Sequence, residues 1–145
     1  MKDLGGYTAV APTGNPFRWV LISEEASAGR VRTRWARYVF GRGIVDGPHS
    51  IEAPIDPPPH AGAPKSSVEA LEWSYGLARK ASRVIESTYH FGEATVSAAG
   101  EWVVVWYSLE FSAFGRAAAV RVRFPPGGGP PVVKSAFVRP TLRAL

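Results

Sequence analysis

Near the C-terminus, two tryptophans and three cations have the types and spacing to hold a polynucleotide. Residues 101–111, EWVVVWYSLEF, read as a strand, and strand side chains alternate between two faces. Val103, Val105, Tyr107, Leu109 and Phe111 form an ordinary apolar face, while Trp102, Val104, Trp106, Ser108 and Glu110 form the other. In RAAAVRVRF, Arg116 to Phe124, Arg121 and Arg123 point away from Ala118, Val120, Val122 and Phe124. In the segment that follows, Lys134 opposes Val133 and Phe137. If helices cover the apolar face, Trp102, Trp106, Arg121, Arg123 and Lys134 gather on the opposite one, and small alanines keep it shallow. Guanidinium groups neutralise phosphates and release counterions, and indoles offer a stacking surface to any base. That chemistry suits single-stranded DNA or RNA; an open sheet fits duplex grooves poorly. On this reading Trp102→Ala or Trp106→Ala weakens binding by about 1–3 kcal/mol while folding survives.

A second basic group lies in GRVRTRWARYVFGR. Read as a helix, it sets Arg30, Arg34 and Arg37 on one side, with Trp35 and Tyr38 on the apolar flank. Two other readings compete with binding. The tryptophans can be buried under a strap or against another subunit, with arginines lying over them. Alternatively Glu93, His90 and a nearby Arg line a pocket for a small anion. Signals for catalysis are sparse: His49, His60 and His90 are far apart, and there is no Cys. PPGGGPP lacks the Lys and following helix of a phosphate loop, and no G-x-S-x-G elbow occurs. The expectation is a non-enzyme that needs neither metal nor cofactor.

The elements that position these residues are read from periodicity. Asn15-Pro16 suits a helix start, and Phe17, Val20, Leu21, Ala28, Val31, Trp35 and Tyr38 follow a near-helical period, which Gly29 can interrupt. A short strand over Trp19 to Ile22 is the alternative. Arg42 to Ser67 is rich in Pro and Gly and reads as an extended strap, anchored by Ile44, Val45, Ile51 and Ile55. Ser66-Ser67-Val68-Glu69 fits a capping box and opens a second helix with two apolar stripes, one through Leu71, Tyr75 and Ala78, the other through Trp73, Leu77 and Val84. From Thr88 the period becomes two, giving strands at 88–97, 101–111, 116–124 and 132–138 joined by short connections. The predicted fold is α+β: two N-terminal helical segments packed on a four-stranded antiparallel meander, in one domain over 1–145, with 42–65 as the strap.

The 145 residues can bury a real core, with 46% hydrophobic content. No apolar run approaches a membrane span, and MKDLGGYTAV has no apolar leader, so a cytoplasmic protein is expected. Net charge is +5, Arg supplies 13 of 17 basic residues, and no acidic residue follows Glu110. A one-signed C-terminal third points to an anionic partner. There is no Cys or Gln, one Asn and one Met, a thermophile-like bias that a GC-rich genome shares in part.

In size, basic composition and predicted order of elements, the chain resembles the ThermoDBP and ThermoDBP-related single-stranded DNA-binding proteins of hyperthermophilic archaea. The resemblance implies a non-OB fold and sequence-tolerant binding of single strands by aromatic and basic residues. It also implies no cofactor and a homo-oligomer, dimer or tetramer. The residue types it carries over are Trp102, Trp106, Arg121, Arg123 and Lys134, with Arg30, Arg34 and Arg37 as secondary candidates. The tail RPTLRAL is too short for the long C-terminal dimerisation helix of the founding members, so an oligomer here needs another surface.

Overall fold

A computed structural model describes residues 7, 9–12, 15–56, 58–83, 85, 90–113 and 116–138, with backbone alone for 9–12 and 109–113. Among these residues the elements are β1 (Ala9–Pro12), β2 (Arg18–Ser27), β3 (Arg30–Val39), β4 (Gly43–Pro54), α1 (Ser67–Ala81), β5 (His90–Val96), β6 (Trp102–Ala113), β7 (Arg116–Phe124) and β8 (Val132–Val138). Each strand pairs with its neighbours in sequence. The result is two four-stranded antiparallel meanders, β1-β2-β3-β4 (sheet A) and β5-β6-β7-β8 (sheet B), separated in the chain by α1.

The N-terminal half therefore corrects the predicted fold. Instead of two helical segments on one sheet, residues 18–54 build most of a second sheet, and the described residues contain one regular helix. Ala28 and Gly29 both have positive φ, 52° and 75°, which is the backbone of a two-residue hairpin turn whose twist matches its strands. Gly29 thus closes a hairpin; it does not interrupt a helix. The near-helical spacing from Phe17 to Tyr38 arose by joining two alternating patterns across that turn. Within β2 and β3, Val20, Ile22, Val31, Thr33 and Val39 supply the branched side chains that favour a pleated sheet. Asn15 closes a turn ahead of β2, its Oδ1 accepting from the Phe17 N–H at 2.9 Å and its carbonyl from the Arg18 N–H at 3.0 Å.

The strap is half strand. Gly43–Pro54 is β4, and Pro48 is tolerated there because β4 is the edge of sheet A. Only 55–66 crosses as irregular chain; Pro57 within it lies outside the described residues. The helix start is close to the capping pattern. Ser66 Oγ accepts from the Glu69 N–H at 3.2 Å, while Glu69 Oε2 accepts from the Lys65 N–H at 2.8 Å, one residue upstream of the reciprocal bond. Val84, Thr88 and Tyr89, also assigned to elements from the sequence, lie outside the described residues.

Two apolar clusters hold the layers together. In the first, the inner face of sheet A (Val20, Ile22, Trp35) packs on Phe91, Tyr107, Ala117 and Ala119 of sheet B. In the second, Ala70, Tyr75 and Ala78 of α1 pack on Val104, Trp106, Val120, Val122 and Phe124, with Val31 and Ala53 of sheet A closing the side. Part of sheet B is therefore covered on both faces. No described helix is long and apolar enough to cross a membrane.

Candidate functional site

The face that motivated the binding hypothesis is split by the register of sheet B. Residues directly opposite in an antiparallel pair share a face. Trp106 stands opposite Val120 and Trp102 opposite Phe124, whereas Arg121 stands opposite Val105 and Arg123 opposite Val103. Indoles and guanidinium groups therefore point to opposite sides of the sheet. The cause is an irregularity between Tyr107 and Ser112, where five residues of β6 advance against two of β7. Counted back from the Ser112–Ala117 pair without it, Trp106 would face Arg123. The three-residue offset is odd, so it exchanges the faces.

Trp106 is a core residue, 2% exposed. Its Nε1–H donates to Ser74 Oγ at 2.8 Å, and Ser74 Oγ donates to the Leu71 carbonyl at 3.1 Å, so α1 supplies the partner its polar edge needs. Tyr75 packs on the indole at 5.0 Å between centroids. Gly92, its cross-strand partner, leaves room for the ring: a Cβ there would lie 2.8 Å from the indole carbons. Trp102 is half-buried against the same cluster.

On the other side of sheet B, Arg121 is exposed with Val105 and Lys134 as cross-strand neighbours, and Arg123 is exposed with Val132. Arg123 Nη2 donates to Glu101 Oε1 at 2.8 Å. The structure keeps Arg121, Arg123 and Lys134 together and separates them from both tryptophans. Arg30, Arg34 and Arg37 lie on β3, so they alternate like strand residues and do not share a helical side. Arg30 and Arg34 are on the outer face of sheet A. Arg37 turns inward beside Val20, where its Nε–H donates to Asp46 Oδ2 at 2.8 Å. Those donations, with His49 Nε2 2.7 Å from Oδ1, hold the Asp46 carboxyl below the usual range.

The pocket imagined for a small anion does not assemble either. His90 and Glu93 are three residues apart on one strand and so occupy opposite faces. His90 is buried against Tyr75, with Glu24 Oε2 3.8 Å from its Nδ1. Burial, with the Glu24 charge adding, pushes the Tyr75 phenol up to about 12. No group of three or more His, Asp or Glu suited to a metal ion occurs among the described residues.

What the helical reading of the N-terminus hid is an aromatic platform on the outer face of sheet A. Trp19 and Tyr38 are cross-strand partners with Ile44 beyond them, and the Phe40 N–H donates to the Phe17 carbonyl at 2.8 Å, which extends the ladder by one row. Trp19 and Tyr38 stack with centroids 5.5 Å apart and planes within 10°; Phe40 meets the indole edge-on at 6.5 Å. Phe17 is 61% exposed and Phe40 64%. Further along the same face, Arg34 lies between Ser23 and Ser50, with Cζ 5.4 Å from the Tyr7 ring centroid. Arg42 is exposed in the hairpin turn next to Phe40. The signal was present as FRW and RYVF: read as strands joined by the hairpin, they bring Phe17, Trp19, Tyr38 and Phe40 to one end of one face.

Comparison with protein-family models, with curated proteins and with solved structures finds no match to this chain. The order of elements that supported the resemblance to the archaeal DNA-binding proteins is not the order the chain adopts.

Proposed function

We propose that the protein binds single-stranded nucleic acid, DNA or RNA, on the outer face of sheet A. Bases stack on Phe17, Trp19, Tyr38 and Phe40, and phosphates are met by Arg34 and Arg42. The observation that carries this reading is the exposure of two phenylalanines beside a stacked Trp–Tyr pair, an aromatic surface flanked by cations on a chain of net charge +5. Exposed aromatic rings offer stacking partners to any base, and guanidinium groups supply the salt-dependent part of the affinity. Arg121 and Lys134 on sheet B form a separate basic row, suited to phosphate contact.

The test is a polarisation titration of labelled oligo-dT and of the matching duplex. Phe40→Ala and Trp19→Ala are each expected to weaken binding to the single strand by about 1–3 kcal/mol. Unchanged affinity in both variants would overturn the assignment of the site. A second reading is favoured by Ile44, 45% exposed beside Tyr38, which widens the apolar patch. On that reading the patch joins copies of this chain. Sedimentation of Phe40→Ala separates the two: an oligomer that falls apart while oligo-dT affinity is unaltered selects the interface.

A further inference from the structure

Among the described residues the two sheets end in four edge strands, β1 and β4 on sheet A and β5 and β8 on sheet B. An unpaired edge offers a row of backbone N–H and C=O groups to any extended chain, and proteins blunt it with brevity, proline, charge, bulges or cover. Three of these edges are blunted. Strand β1 has four residues and ends at Pro12. Strand β4 contains Asp46, Pro48 and Glu52, and its register against β3 shifts twice. Strand β5 opens with three buried residues, His90, Phe91 and Gly92. Strand β8 carries a single such device, Lys134. It runs seven residues in unbroken register with β7 and contains no proline or glycine. Val132 is 44% exposed and Phe137 57%, and Lys134 and Ser135 between them are exposed as well.

We propose that β8 joins two copies of this chain, edge to edge and antiparallel, into one eight-stranded sheet about a two-fold axis at Ser135. What selects a second copy as the occupant is the self-complementarity of VVKSAFV. Ser135 is the midpoint of the strand, so this register pairs all seven residues. It sets Lys134 opposite Ala136 of the second copy, Val133 opposite Phe137 and Val132 opposite Val138, each contact made twice. Centring one residue earlier puts Lys134 against its own mate, a like-charge clash, and leaves two residues unpaired. The faces agree too. Val133, Ser135 and Phe137 stand opposite Val122, Val120 and Ala118 of β7, on the side that α1 covers. A two-fold axis normal to the sheet keeps both helices on that side and both A sheets on the other, and brings Phe137 of each copy against the partly buried Val133 of its mate. This contact is separate from the aromatic end of sheet A and does not rest on the reading given there.

The experiment uses the full chain, which contains no Cys. Ser135→Cys is a nearly isosteric change at an exposed position. In the joined sheet the two Cα atoms at this position lie about 4.5–5.5 Å apart, within the roughly 4.4–6.8 Å that a disulfide spans. Mild oxidation is expected to convert most of the Ser135→Cys chain to a covalent dimer on a denaturing gel. Val132→Cys, on the same exposed edge, is expected to stay monomeric there, because its two thiols would be about 20 Å apart. In sedimentation the native chain should show twice the monomer mass, Phe137→Asp should return it to the monomer, and Phe40→Ala should leave it dimeric. A monomeric native chain, equal cross-linking at both positions, or none in Ser135→Cys overturns the proposal. So does a dimer that Phe40→Ala dissolves and Phe137→Asp does not, since that places the contact on sheet A.

Discussion

The molecule contains two aromatic groups built from the same residue types and put to opposite uses. Trp106 packs against Tyr75 and His90 beneath α1, and Trp19 stacks on Tyr38 and meets Phe40 edge-on on the outer face of sheet A. Both tryptophans sit on antiparallel strands in sequences that alternate. The difference lies in what covers them. Helix α1 brings Ser74 to the Trp106 indole and Ala70 and Ala78 to the surrounding apolar surface, so polar edge and ring face are both satisfied. Over Phe17 and Phe40 no described element is packed closely enough to bury them. An aromatic residue on a strand thus declares its role only when its cover is known, and that cover can come from a distant part of the chain.

The largest effect is expected at the covered group. Trp106→Ala should cost about 3–5 kcal/mol in denaturant unfolding, the range for deleting a buried large aromatic. Gly92→Ala, which drives a methyl group into the same ring, should cost about 1–3 kcal/mol. If Trp106→Ala were nearly neutral, the two groups would be alike after all.

At the open group the ranking reverses. Phe40→Ala should shift the unfolding midpoint little, because the ring is mostly solvated, while costing about 1–3 kcal/mol in oligo-dT binding. A pH series probes the covered group more gently. The folded state keeps the Tyr75 proton up to about 12, whereas the unfolded chain releases it near 10.0. Its contribution is full below pH 10 and falls as pH rises towards 12. Tyr75→Phe should flatten that alkaline loss when denaturant midpoints are compared at about pH 9 and 11. The smallest effect is expected on sheet B: Arg121→Ala should reduce the salt slope of oligo-dT binding by roughly 0.7.

The C-terminal half was largely legible in the sequence. RAAAVRVRF and VVKSAFV alternate cleanly between turns, and they form strands with the expected bounds. Ser66 and Glu69 mark the helix start because their side chains bond the local backbone. The relative facing of β6 and β7 was not legible. It depends on an irregularity that swaps odd for even, and nothing in EWVVVWYSLEF announces it. The N-terminal half was misread for a different reason. Two hairpin arms of ten residues each, laid end to end across Ala28-Gly29, can imitate a helical period. In physical terms, a turn that needs two positive φ values is the deciding feature, and Ala28 is an unusual residue to occupy one of them.

Wiring every strand to its neighbour in sequence has a consequence for how the chain reaches its native state. Each meander closes through short loops, and such local closure is fast. The slow events are then the encounter of the two halves and the seating of α1 over Trp106. Transient opening should follow the same seam in reverse, with amides of β2 and β3 still shielded from exchange while those of α1 are released.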